Sequence, residues 1–236
     1  MTSLNGAVVL VTGANGGIGT HFVAEALARG AAKVYATART PRAWDDERIV
    51  ALQLDVTDPT SIQAAADFAT DVTVLVNNAG ASPSTASLID IAESELRTTM
   101  EINFFAPVLL ARAFTPALLK AAHPILIDVH SIGSWLGYGG AYSAAKAALW
   151  AATNALRLEL APRGVHVIGV HMSYVDTAMA AQAQGQKLQP GDLVRQVFDA
   201  LQAGAVEVIG DEQTAKVKAA LAGPIEALYP ELPPFA

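Results

Sequence analysis

A doubly wound α/β fold is the architecture this sequence predicts: one mainly parallel sheet of about seven strands with helices on both faces, in three layers. Three observations predict it. Short apolar runs alternate with longer helical stretches along the chain. The first apolar run leads directly into a glycine-rich turn and then a helix. Hydrophobic residues make up 52% of the 236 residues and charged ones only 16%, the balance expected of a sheet buried on both sides.

The elements follow in order. Strands are predicted at Ala7–Thr12, Lys33–Thr37, Ile49–Leu54, Val72–Val76, Ile125–Val129, Val165–Val170 and Ala205–Ile209. Each is a short apolar run bounded by polar or turn residues. Helical character falls near 17–29, 60–69, 94–119, 141–161, 191–203 and 212–222. Strand–helix alternation implies right-handed crossovers and therefore parallel pairing. No low-complexity linker interrupts the chain, so one domain over 1–236 is expected, with a short substrate-side loop at about 178–190. The tail 230–236 holds three prolines and is expected to run as a surface strap.

Two segments carry chemistry. The first is Thr12-Gly-Ala-Asn-Gly-Gly-Ile-Gly19, between a buried strand and a helix. Gly13 suits a tight turn, while Gly17 and Gly19 let backbone approach a pyrophosphate at the positive end of the helix. The second is Tyr142-Ser-Ala-Ala-Lys146. Residues four apart share a helical face, so the Lys146 ammonium can sit beside the Tyr142 phenol. A neighbouring cation favours phenolate, and the phenol pKa is expected to fall towards neutrality. Together the segments read as a nicotinamide-dependent carbonyl or alcohol oxidoreductase.

In this order the motifs resemble the short-chain dehydrogenase/reductase family, a Rossmann-like fold. The resemblance runs from Ala7 to about Thr177. Thr12-Gly-x-x-x-Gly-x-Gly19 is similar to its cofactor turn and Asn77-Asn-Ala-Gly80 to its segment after the fourth strand. Asp55-Val56 corresponds to its adenine-contacting pair, and Asn103, Ser131, Tyr142 and Lys146 to its catalytic tetrad. The resemblance implies that Tyr142 exchanges a proton with the substrate oxygen and Ser131 hydrogen-bonds that oxygen. It further implies that Lys146 lowers the tyrosine pKa and binds the nicotinamide ribose, while Asn103 holds a water leading to solvent. Cofactor contacts are expected from Gly13, Asn15, Gly17, Ile18, Gly19, Arg39, Asp55, Val56, Asn77, Ala79, Gly80, Tyr142, Lys146, Val175 and Thr177. Read alone, Asp55 could instead cap the following helix or be a loop carboxylate.

Cofactor choice rests on the second strand, Lys33-Val-Tyr-Ala-Thr37, followed by Ala38 and Arg39. An NAD site usually places a carboxylate there, on the ribose 2′-hydroxyl. None is present, and Arg39, with Arg42 beside it, suits a 2′-phosphate. NADP(H) is expected over NAD(H).

Three departures from the family pattern stand out. Met172-Ser173 replace the usual Pro-Gly; Ser131 precedes Tyr142 by eleven residues where thirteen is usual; His130 replaces a small residue. His130 could tune substrate binding or be packed or hydrogen-bonded. Trp135, Tyr138, Tyr174 and Met179 could be pocket walls, or could close the core.

The absence of cysteine excludes a disulfide framework and thiolate catalysis. The five histidines lack metal-ligand spacing, and no metal is expected. A net charge of −7 without basic clusters argues against nucleic acid and anionic membranes. With no signal segment or transmembrane run, a cytoplasmic protein acting on a small carbonyl or alcohol is expected. Apolar stripes at Leu96, Met100, Phe104, Val108 and Leu109, and at Leu149, Trp150 and Leu156, suit either core or the helix pairing that the resemblance implies for a homodimer or homotetramer. Two alternatives remain: a dinucleotide-sensing regulator without turnover, and an epimerase or dehydratase.

Overall fold

The computed structural model describes residues 3–232. Its strands are β1 (Val8–Thr12), β2 (Lys33–Ala38), β3 (Ile49–Gln53), β4 (Val74–Asn77), β5 (Ile125–Val129), β6 (His166–His171) and β7 (Glu207–Ile209). They form one sheet in the order β3-β2-β1-β4-β5-β6-β7. Every neighbouring pair is parallel, so the sheet is wholly rather than mainly parallel. The helices are α1 (Gly17–Ala28), α2 (Pro59–Phe68), α3 (Glu93–Met100), α4 (Ala106–Leu118), α5 (Ala141–Leu160), α6 (Pro190–Gln202) and α7 (Glu212–Ala220).

Period-two alternation along the strands builds two cores. Val9 and Val11 of β1 face Phe22 and Val23 of α1 and Val197 and Phe198 of α6. Leu10, between them, faces the other way, into a cluster with Ile62 of α2 and Leu110, Phe114 and Leu118 of α4. Helices therefore cover both faces. Local signals set the boundaries: Asp58 caps α2 by accepting from the Thr60 amide at 2.8 Å, with Pro59 at its first position. Asp211 caps α7 in the same manner.

One predicted element is not continuous. The helix expected over 94–119 is α3, a π-helical turn at Glu101–Phe105, and α4. Pro107 supplies the reason, because it has no amide to donate back to residue 103. The expected tail at 230–236 is described only to Leu232; 233–236 lie outside the described residues.

Strand order reverses between β1 and β4, each with a crossover leading away from the other. Such a switch point opens a crevice at the carboxyl ends of the strands. The glycine turn, Asn77–Gly80 and Ser131 all follow strands that end there.

Candidate active site

The glycine turn leaves β1 with Gly13 at φ +67° and enters α1 with Gly17 at φ +54°, backbone that L side chains rarely adopt. Gly19 answers to space instead: a Cβ there would meet the Gly13 carbonyl oxygen at 2.2 Å. The turn is anchored from β4, since Asn78 Nδ2 donates to the Thr12 carbonyl at 2.8 Å. The Thr12 hydroxyl in turn accepts from the Asn78 and Ala79 amides at 2.9 and 3.0 Å. Asn15 Nδ2 donates to the Thr40 carbonyl at 2.7 Å, tying the turn to the loop after β2. Ile18 packs against the α1-side core. No side chain caps α1, and its first turn holds no acidic residue. Its free amides and positive dipole end therefore face the crevice, a cradle that fits a dinucleotide pyrophosphate. Thr177 completes one wall, its Cγ2 3.5 Å from where a Gly17 Cβ would stand.

Arg39 is exposed beyond the end of β2, whereas the Arg42 guanidinium lies 3.8 Å above the Trp44 ring. Asp55 does not cap α2. Its carboxylate accepts from the Thr57 amide at 2.9 Å and hydroxyl at 2.7 Å, and these bonds hold it below the usual carboxylate range. Val56 follows it, half-buried beside the α2–α4 core.

The tetrad residues converge. Ser131 follows β5, with Tyr142 and Lys146 on the first turns of α5. A Cβ placed on Gly133 would lie 3.5 Å from both Ser131 Oγ and Tyr142 Cε1, so hydroxyl and phenol share one small space. Lys146 is buried and donates to the Val129 carbonyl at 2.8 Å. Asn103 sits in the π-helical turn, fully buried, and donates to the Thr99 and Ala81 carbonyls at 2.9 and 2.8 Å. Gly80 separates it from the lysine: a Cβ there would stand 3.1 Å from Asn103 Oδ1 and 3.9 Å from Lys146 Nζ.

The expected lowering of the Tyr142 pKa is not found. Burial pushes the phenol above its ordinary value, and nearby Ser131 pulls it back. The Lys146 ammonium lies 5.7 Å from the centre of the tyrosine ring and is bound elsewhere, to Val129. Burial lowers Lys146 to about 8, with Asp128 opposing that shift.

Met172 and Ser173, in place of Pro-Gly, are held by other means. The Met172 carbonyl accepts from the Ile132 amide at 2.7 Å, and the Ser173 amide donates to Asp211 Oδ2 at 2.7 Å. Val175 then pairs with Leu188 in an isolated parallel bridge, closing the loop between them at its base. The eleven-residue interval resolves into two tight turns, Ile132–Ser134 and Gly137–Gly139, with Trp135 between them. Trp135 closes the core: it is buried and stacks on His171 with centroids 4.2 Å apart. His171 stacks in turn on His130 at 4.5 Å, so His130 is a packed residue. Tyr138, Tyr174 and Met179 remain exposed. Tyr229 reaches back to accept from the Gly137 amide at 2.7 Å, and the Tyr138 hydroxyl donates to Glu231.

Sequence reasoning missed Asp128. It lies fully buried in β5 and is hydrogen-bonded to Asn77 and Thr153. A lone carboxylate inside the apolar run Ile125–Val129 was the available signal.

Comparison with known proteins agrees with this geometry. The sequence model of the family described as short chain dehydrogenase matches residues 7–188. The NADPH-dependent 1-acyldihydroxyacetone phosphate reductase of Schizosaccharomyces pombe is 35% identical over 188 residues, 75% of this chain and 62% of that protein. The chain thus spans less than two thirds of that relative's length. The 3-oxoacyl-(acyl-carrier-protein) reductase FabG of Escherichia coli is 35% identical over 190 residues, 75% of this chain and 77% of that one. A short chain dehydrogenase from Burkholderia cenocepacia, solved in complex with NADP, superposes with a TM-score of 0.89 at 34% identity, covering 98% of this chain and 99% of that one. The glycine cradle, the tetrad in register and these matches together place this chain in the short-chain dehydrogenase/reductase family.

Proposed function

We propose that this protein is an NADP(H)-dependent oxidoreductase that interconverts a ketone or aldehyde and the corresponding alcohol, with Tyr142 as the general acid and base. The observation that carries the reading is the convergence of Ser131, Tyr142, Lys146 and Asn103 beside the glycine cradle, at the strand ends where the order reverses. The dinucleotide, when bound, supplies or accepts the hydride.

The chain's own residues bind, orient and move a proton. In reduction, Tyr142 gives its hydroxyl proton to the substrate oxygen, and Ser131 donates a hydrogen bond to the same oxygen as negative charge develops there. Lys146 places a positive charge beneath the Tyr142 ring and stabilises the phenolate left behind. Asn103, facing Lys146 across Gly80, would hold the water through which the lysine regains a proton from solvent. The free amides of α1, with Gly13, Asn15, Gly17, Ile18 and Gly19, would hold the pyrophosphate, and Val175 and Thr177 the nicotinamide end. Asp55, Val56, Ala79 and Gly80 would line the adenosine and ribose side, whereas Asn77, expected there too, is buried with its amide on Pro107 and Asp128. Arg39 would take the 2′-phosphate; NADPH in the yeast relative's name and NADP in the Burkholderia complex support that preference. Leu96, Met100, Phe104 and Val108 stay only half-buried while Leu110, Phe114 and Leu118 fill the core with Leu109 packed against them, which supports pairing of that helical face in a homodimer or homotetramer.

The test is loss of NADPH and NADH absorbance across ketones, aldehydes and diketones, with Tyr142→Phe as control. Turnover with NADPH, reduced about 10²–10⁴-fold in the variant with NADPH affinity retained, is expected. Tight NADPH binding without turnover would favour a dinucleotide sensor, or a substrate outside those tested.

A further inference from the structure

β5 is apolar except at Asp128, whose side chain lies wholly inside the molecule. An isolated carboxylate in such a place costs several kcal/mol, and Asp128 is not isolated. Asn77 Nδ2, at the end of β4, donates to its Oδ1 at 2.9 Å. The Thr153 hydroxyl, on α5, lies 2.7 Å from its Oδ2 and 2.9 Å from the Leu149 carbonyl, and shares its one proton between them. The next residue, Val129, offers the carbonyl that holds the Lys146 ammonium. A buried carboxyl group and a buried ammonium group therefore meet adjacent positions of one strand.

The other groups around the ammonium do not balance its charge. Tyr142 and Arg157 share its helix, and Arg157 shares its sign. His130 follows β5 and His171 ends β6; burial holds both well below the ordinary histidine value, so both are neutral. Beyond them, Glu207 is paired with Lys218 of α7.

We propose that Asp128 is a positioning residue for the Tyr142–Lys146 pair: its buried carboxylate is the counter-charge that keeps the Lys146 ammonium protonated inside the fold, and Asn77 and Thr153 hold that carboxylate in place. The proposal rests on the reading of Lys146 as the group that acts on Tyr142. Burial strips protons from ammonium groups and returns them to carboxylates. Burial is the larger effect at both groups: Asp128 opposes it at Lys146, and at Asp128, whose carboxyl it raises above the ordinary value, Thr153, Asn77, Lys146 and Arg157 pull the other way. Each member of the pair thus resists the discharge of the other.

The experiment is an NMR titration of ¹³C-labelled lysine side chains in the full chain without cofactor. Lys146 is expected to titrate near pH 8 in the wild type. Asp128→Asn keeps the size and hydrogen-bonding capacity of the side chain but removes its charge. It is expected to move the Lys146 midpoint down by about one unit, and the high-pH decline of carbonyl reduction with it. A folded Asp128→Asn protein with an unmoved Lys146 midpoint would overturn the proposal. Should that variant fail to fold, Lys146→Met gives the reciprocal reading, because coupling between two sites is equal in both directions. The Asp128 carboxyl signal must then titrate at higher pH, and a stationary signal overturns the proposal. Neither titration needs turnover, so an inactive protein with the coupling intact would sink the oxidoreductase reading alone.

Discussion

A phenol held above its ordinary pKa keeps its proton at neutral pH, and this suits Tyr142 to donate before it accepts. The nearby lysine, lowered to about 8, is the group whose titration then limits reduction at high pH. Arg39 carries a separate prediction. It stands exposed beyond β2 while Arg42 is committed to Trp44, so one guanidinium is left to meet a 2′-phosphate. A charge-assisted hydrogen bond is worth about 1.5–3 kcal/mol, roughly a 10- to 150-fold change in affinity. Arg39→Ala should weaken NADPH binding by that factor and leave NADH binding nearly unchanged, as read by fluorescence titration of both. Equal losses for the two cofactors would remove Arg39 from this role. At this scale the site was largely legible: Gly13, Gly17 and Gly19, Tyr142 and Lys146 are residue types whose chemistry is local. Asp128 was not, because its partners Asn77 and Thr153 lie far from it in sequence and meet it only in the folded chain.

Elements show where local pattern stops. All seven strands and the flanking helices could be read from apolar runs and periodicity, but the break at Glu101–Phe105 could not, because apolar spacing continues through it. Pro107 hinted at a break without saying that a π-helical turn would place Asn103 opposite Lys146. The glycine turn between β1 and α1 is the most constrained element. Gly19→Ala would bring a methyl group to 2.2 Å from the Gly13 carbonyl oxygen, and the turn or the start of α1 must move. Loss of NADPH binding is expected, with a far-UV circular dichroism spectrum close to wild type. Retained affinity would remove the close approach at Gly19 as a requirement for binding.

For the whole molecule, acid is the sensitive variable. His130 and His171 are buried, stacked and neutral, and none of their ring nitrogens has a hydrogen-bond partner among the described residues. Burial lowers His171 to about 3 and His130 well below its ordinary value, whereas in the unfolded chain both titrate near 6.5. Below about 6.5 the unfolded state binds protons that the folded state refuses. Stability is therefore fully present above that pH and falls as the pH drops towards 3, by up to about 1.4 kcal/mol per pH unit for each ring. His171→Phe should flatten this dependence by about half in urea unfolding at a series of pH values, whatever it does to absolute stability. An unchanged slope would assign the acid sensitivity to other groups. The stack itself was illegible in the sequence, since His130 and His171 come together only when β5 pairs with β6.

The order β3-β2-β1-β4-β5-β6-β7 has one more consequence, for the nascent chain. As β1, β2 and β3 emerge, each can join the strand made just before it. β4 then returns to the free edge of β1, and β5, β6 and β7 extend that same edge one after another. No strand has to be threaded between two already in place, so the sheet can grow by edge accretion during translation. From β3 onwards two unpaired edges, the growing one and the outer edge of β3, are exposed to other chains. On the ribosome the glycine turn is anchored as soon as Asn78 and Ala79 follow β4, long before Thr177, which closes one wall of the cradle, has been synthesised.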